Sequence, residues 1–282
     1  MFQNLRLSFI AHAKVLLAIL MMAAAGYVGG FIGAAAVLIL VLFNIDKEYQ
    51  LFFLLGALIF TFIFADNFKG GLAFTQNLRF IILGLAILIL LKYQLFTNNP
   101  AYLFVLFSIY TAIVTLTLSP LGIPAVLRAF GHLIVAAVVF KLFQLLVLQA
   151  RQYTVNFMIV FIVAFSLLHV FLYFIPIYPE TYLEGRFKGL MGNPNGLGLL
   201  LMFFYALLVF FRDHEESIFT KKFFYLFQVV LLFLIILTGS RTALISVLGF
   251  EALLRIRQSP LYLIGAIIGF VVINLYLSST LK

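Results

Sequence analysis

The chain contains no cysteine and no tryptophan, and charged residues fill only 10% of its 282 positions. Without cysteine there is neither a disulfide framework nor a thiolate metal site. Without tryptophan, an aromatic belt at a membrane surface must come from tyrosine, with phenylalanine filling the interior. The shortage of charge excludes more. Soluble domains carry about a quarter charged residues, whereas this sequence is 65% hydrophobic with a mean hydropathy of +1.22. It cannot be solvated as a globule.

Other absences narrow the class further. Alternating short strands, the mark of a transmembrane barrel, are missing, and the long continuous apolar runs require helices. There is no Gly-Lys-Ser/Thr phosphate loop after the glycines near 189–198, so nucleotide use has no support. The histidines His12, His132, His169 and His214 never pair with a second ligand at i+3 or i+4, so no metal site is expected. No internal repeat, soluble domain, linker or low-complexity tail is visible. The N-terminus lacks a small-residue cleavage site followed by a polar mature region, so it reads as a retained span.

What is present is an all-α, polytopic membrane protein. Apolar stretches fall at 50–65, 79–97, 100–118, 125–148, 154–175, 195–211, 223–238, 241–256 and 260–279. The run 14–43 is too long for one upright span of roughly 20 residues. It is interrupted by Gly26-Tyr27-Val28-Gly29-Gly30 and reads as two short spans turning at the glycines. The total is about eleven spans in a single transmembrane domain covering 1–282.

The net charge of +9 fits the positive-inside rule and anionic membrane lipid. Scattered between spans, the basic residues do not form the stripe that nucleic acid would need. Parity puts Lys47, Lys92, Arg151, Arg212, Lys221, Lys222, Arg255 and Arg257 on the cytoplasmic side. Arg79, Arg128, Arg186 and Arg241 then face outward, where the rule disfavours them. Near span ends such arginines can snorkel to headgroups, or can be held for an anionic partner.

The polar residues concentrate between Tyr182 and Thr242. Glu184-Gly185-Arg186-Phe187-Lys188-Gly189 precedes Gly192-Asn193-Pro194-Asn195-Gly196 at the mouth of an apolar helix. One hairpin later comes Thr238-Gly239-Ser240-Arg241-Thr242. Asn193 is a good N-cap and Pro194 suits the first turn, so the positive end of helix 195–211 lies beside Arg186 and Lys188. A helix N-terminus flanked by cations is an anion site, and the arginine fork suits phosphate or carboxylate. Glu180 and Glu184 could bind sugar hydroxyls, act as acid or base, or pair with Lys188 and Arg186. His132 follows Arg128 by one turn and shares its face.

Arg186-x-x-Gly189, Asn193-Pro194-Asn195 and Ser240-Arg241, in that order within residues 182–257, resemble the O-antigen ligase and polymerase family of bacterial membrane glycosyltransferases. The resemblance implies a multi-pass, GT-C-like protein of the bacterial inner membrane. It implies transfer of a glycan from undecaprenyl diphosphate to an acceptor sugar, lipid or protein on the outer face, without metal, nucleotide or other cofactor. Arg186 and Arg241 would then be catalytic, stabilising the leaving diphosphate. Lys188, Asn193, Asn195 and Ser240 would help bind it, with Arg79, Arg128, His132 and Glu184 as secondary candidates. Family members continue into a large external loop carrying a catalytic histidine and then further spans, which implies that this sequence lacks their C-terminal part. Rival readings are a polysaccharide polymerase of the same family, a transporter of an anionic lipid and a non-catalytic assembly subunit.

Overall fold

A computed structural model describes residues 2–65, 71–95, 103–118, 123–176, 181–212 and 217–255, together with 265 and 268. The chain is mostly helical. By length and composition, four helices among the described residues are long and apolar enough to cross a membrane: Ala13–Asn44, Leu133–Phe174, Pro194–Arg212 and Lys221–Thr238. Shorter apolar helices cover Tyr49–Phe64 and Thr75–Leu91. This is an all-α membrane protein, and the expected span 260–279 lies outside the described residues.

The chain groups into two compact units, Met1–Thr154 and Val155–Lys282. The first contains α1 (Phe2–Asn44), α2 (Lys47–Phe64), α3 (Thr75–Leu91), α4 (Leu103–Leu118) and the start of α5 (Ile123–Phe174). Helix α1 is broken at Gly30, whose φ of 62° only glycine adopts readily. Beyond the break the chain doubles back. A Cβ placed on Gly33 would strike the carbonyl oxygen of Ala25, although these residues would lie about 12 Å apart along an unbroken helix. Thr75 Oγ1 donates to the Phe64 carbonyl at 2.9 Å, tying the start of α3 to the end of α2. Helix α5 is broken at Ala150 (φ −153°, ψ 59°), between the expected spans 125–148 and 154–175.

The second unit contains the remainder of α5, a two-stranded hairpin of β1 (Tyr182–Leu183) and β2 (Arg186–Phe187), then α6 (Pro194–Arg212), α7 (Lys221–Thr238) and α8 (Arg241–Arg255). Its core is an aromatic column. Phe161, Phe165, His169 and Tyr173 follow one another at i+4 and so share a face of α5. Phe204 of α6 packs edge-on against Phe161 and Phe165 at 6.1 and 5.4 Å between centroids. Phe187 of β2 and Phe233 of α7 meet Tyr173 edge-on at 5.8 and 5.7 Å. Edge-to-face pairs of this kind contribute about 0.5–1.5 kcal/mol each beyond burial. The column therefore pins the hairpin onto the helices through Phe187.

Candidate anion site at the α6 and α8 N-termini

The polar loop is positioned by its own backbone. Tyr182 pairs with Phe187 and Leu183 with Arg186, leaving Glu184-Gly185 as a two-residue turn. Both turn residues have positive φ, 50° and 74°, as the turn that best matches strand twist requires. After the hairpin, the amides of Lys188 and Gly189 both donate to the Thr181 carbonyl, at 2.9 and 3.2 Å. Gly189 then turns left-handed, φ 55°, directly over His169. A Cβ on Gly189 would lie 2.7 Å from His169 Nε2. The glycine of the Arg-x-x-Gly element is thus required by its neighbour as well as by its backbone.

Asn193 opens α6 as anticipated. Its Oδ1 accepts from the Gly196 amide at 2.6 Å, a cap that contributes about 1 kcal/mol. The α7–α8 corner is equally short. Gly239 adopts the left-handed cap conformation, φ 60° and ψ 21°, and its amide bonds to Ile236. Ser240 then caps α8, its Oγ accepting from the Ala243 amide at 3.4 Å. Gly198, in the first turns of α6, lets the two corners meet, since a Cβ there would lie 2.5 Å from Ser240 Cβ and 2.9 Å from Thr238 Oγ1. Two helix N-termini are thereby brought side by side.

Arg186 joins them. Its Nε donates to the Thr238 carbonyl at 2.8 Å, and Nη2 donates to Asn195 Oδ1 at 2.7 Å. The guanidinium is therefore held between the end of α7 and the start of α6, and its other N–H groups meet no acceptor among the described residues. Each hydrogen bond from a charged donor contributes about 1.5–3 kcal/mol, less where water competes. Arg241 is the first residue of α8 and follows the Ser240 cap directly. Lys188 is buried, and no side chain among the described residues partners its ammonium. A cation on a mostly buried side chain is stabilised by a nearby anion.

Glu184 does not supply that anion. It sits exposed at the hairpin tip, and of the roles open to it, pairing with Arg186 or Lys188 is not seen among the described residues. Glu180 lies outside the described residues. Arg79 belongs to the first unit, where its guanidinium lies over the rings of Phe62 and Phe80 at 5.7 and 4.8 Å. Arg128 and His132 fall within α5, but their side chains lie outside the described set. Sequence reasoning missed His169. It is fully buried, its Nδ1 lies 2.9 Å from the Phe165 carbonyl, and its Nε2 has no partner. With Nδ1 carrying the proton, Nε2 presents a lone pair beneath Gly189. Its signal in the sequence was the one imidazole in an i+4 aromatic series.

Two helix N-termini and a fixed guanidinium stand together here, the elements from which oxyanion sites are built. No protein-family model, curated protein or solved structure matches the chain.

Proposed function

We propose that this protein transfers a glycan from undecaprenyl diphosphate to an acceptor sugar, lipid or protein at the outer face of the bacterial inner membrane. This is the chemistry of the O-antigen ligases that its motifs resemble. The reading includes a multi-pass, GT-C-like arrangement of about eleven spans. One observation carries it: Arg186 is hydrogen-bonded across the Asn-Pro-Asn helix start and the Thr-Gly-Ser-Arg corner, so the separate motif elements form one cationic corner. No carboxylate among the described residues neutralises that guanidinium.

In the proposed reaction the acceptor hydroxyl oxygen attacks the anomeric carbon, and the bond from that carbon to the diphosphate oxygen breaks. The diphosphate leaves with the bonding pair, and the hydroxyl proton passes to a base. Charge grows on the leaving diphosphate, where Arg186, Arg241 and the two helix ends stabilise it. Asn195 holds Arg186 in place instead of touching the ligand through its oxygen, because that oxygen already accepts from Nη2.

The test is to supply the membrane-reconstituted protein with an undecaprenyl-diphosphate-linked oligosaccharide and an acceptor glycan. Mass spectrometry then follows released undecaprenyl diphosphate. Release coupled to acceptor extension, lost in Arg186→Ala, supports the reading. Binding of the donor with no release would replace transferase by a binding or assembly role.

A further inference from the structure

The imidazole of His169 touches the cationic loop twice. Phe187 meets it edge-on at 6.4 Å between centroids. Gly189 lies against its Cδ2–Nε2 edge, where an added Cβ would fall 2.7 Å from Nε2. Successive side chains on a strand point to opposite faces, and Arg186 and Phe187 are the two residues of β2. A ring that fixes Phe187 from below therefore also sets the direction in which Arg186 leaves the strand. Two residues on, the same ring limits how far the loop can settle, through Gly189.

The ring is itself held. Phe165 lies against it with centroids 4.1 Å apart, and Nδ1 is 2.9 Å from the Phe165 carbonyl. A carbonyl only accepts, so Nδ1 carries the proton, and this bond sets the rotation of the ring. Nε2 is then a bare lone pair, buried and without a partner among the described residues. A phenyl ring at this position would differ in both respects. It has no donor for the Phe165 carbonyl, and its larger outline puts C–H groups where the bare nitrogen edge faces Gly189. Histidine thus supplies a flat seat of fixed rotation and small size.

We propose that His169 is a positioning residue for anion binding: its ring seats Phe187 and Gly189, and so holds the Arg186 fork toward Thr238 and Asn195. This role rests on the anion-binding reading of the corner. His169 itself makes no contact with the ligand, because Gly189 lies over its nitrogen edge.

The test uses the full chain in mild detergent and two substitutions. His169→Phe keeps a ring but loses the Nδ1 anchor, whereas the smaller His169→Asn keeps a donor for Phe165 but has no edge for Gly189. The first readout needs no ligand. Because the chain has no cysteine, nitroxides at Leu183→Cys on the hairpin and Val229→Cys on the exposed face of α7 report how firmly the hairpin is held. Pulsed electron-spin distance measurement should give a narrow distribution with His169 and a broader or shifted one in both variants. The second readout is calorimetry with pyrophosphate. Each variant should bind it roughly fivefold more weakly, the scale of coupling between neighbouring residues. In an Arg186→Lys background, which has no fork to aim, the same substitutions should change affinity by less than about twofold. A residue that only supports the fold would lower the unfolding temperature without this dependence on position 186. Unchanged affinity in both variants, an equal loss in the two backgrounds, or an unchanged distance distribution overturns the role of His169 alone. Failure of the wild-type protein to bind pyrophosphate overturns the anion-binding reading and this role with it.

Discussion

Arg79 and Arg186 both sit half-buried near the start of a structural element, yet their surroundings differ. Arg79, in α3, lies over two phenylalanine rings, and its buried Nε has no acceptor. Arg186 gives Nε to a helix-end carbonyl and Nη2 to an asparagine oxygen. The first is a cation settled on hydrocarbon, stabilised by about 0.5–1 kcal/mol of cation–π attraction at such a position. The second is aimed: its orientation is set by protein acceptors from two other segments, and its remaining donors are presented in a fixed direction. Exposure does not separate these arginines. What separates them is whether the protein supplies acceptors that fix the fork.

The comparison can be broken most severely at Gly198. A Gly198→Val side chain would enter a space where Cβ alone reaches 2.5 Å from Ser240 Cβ. Overpacking of this kind costs about 1–3 kcal/mol, so thermal unfolding in mild detergent should shift to lower temperature. Pyrophosphate binding should be lost with it, because the two helix starts separate. A smaller effect is expected from Asn195→Ala, which removes one of the two acceptors that aim Arg186. Calorimetry should show pyrophosphate affinity falling roughly tenfold, the equivalent of about 1.4 kcal/mol, with little change in unfolding temperature. Arg79→Lys should leave pyrophosphate affinity unchanged within error and lower stability by less than about 1 kcal/mol. The smallest effect has the opposite sign. Glu184 holds a left-handed φ of 50° in a turn suited to asparagine, so Glu184→Asn should raise stability by about 0.5–1 kcal/mol in the same unfolding assay.

Much of this architecture was legible in the sequence, because long apolar runs and their interruptions are local signals. The spans expected at 195–211 and 223–238 appear as the membrane-length helices Pro194–Arg212 and Lys221–Thr238, and 241–256 appears as a helix, Arg241–Arg255, that is not among the four long and apolar enough to cross a membrane. The glycine cluster before residue 31 marks a real reversal at Gly30. Asn193 caps α6 as its residue type and position dictate. What local pattern could not show is pairing across distance. The Arg186–Thr238 bond joins residues 52 apart, and the Tyr205–Glu251 bond joins residues 46 apart. The hairpin at 182–187 was hidden by its brevity and by a glutamate where a turn-forming asparagine or glycine would have announced it. His169 drew attention only as a histidine without a second ligand at i+3 or i+4. Its importance comes from Gly189 lying on its ring, a contact that no spacing rule encodes.

The central claim is that Arg186 is an aimed fork and not merely a positive charge. Arg186→Lys tests it, since lysine keeps the charge but cannot hold the two protein acceptors and a bidentate anion together. Titration calorimetry of pyrophosphate into the purified protein should show affinity at least about tenfold weaker in Arg186→Lys, with the helical circular-dichroism signal unchanged. Equal affinity in the two proteins would show that charge alone suffices, and would contradict the account.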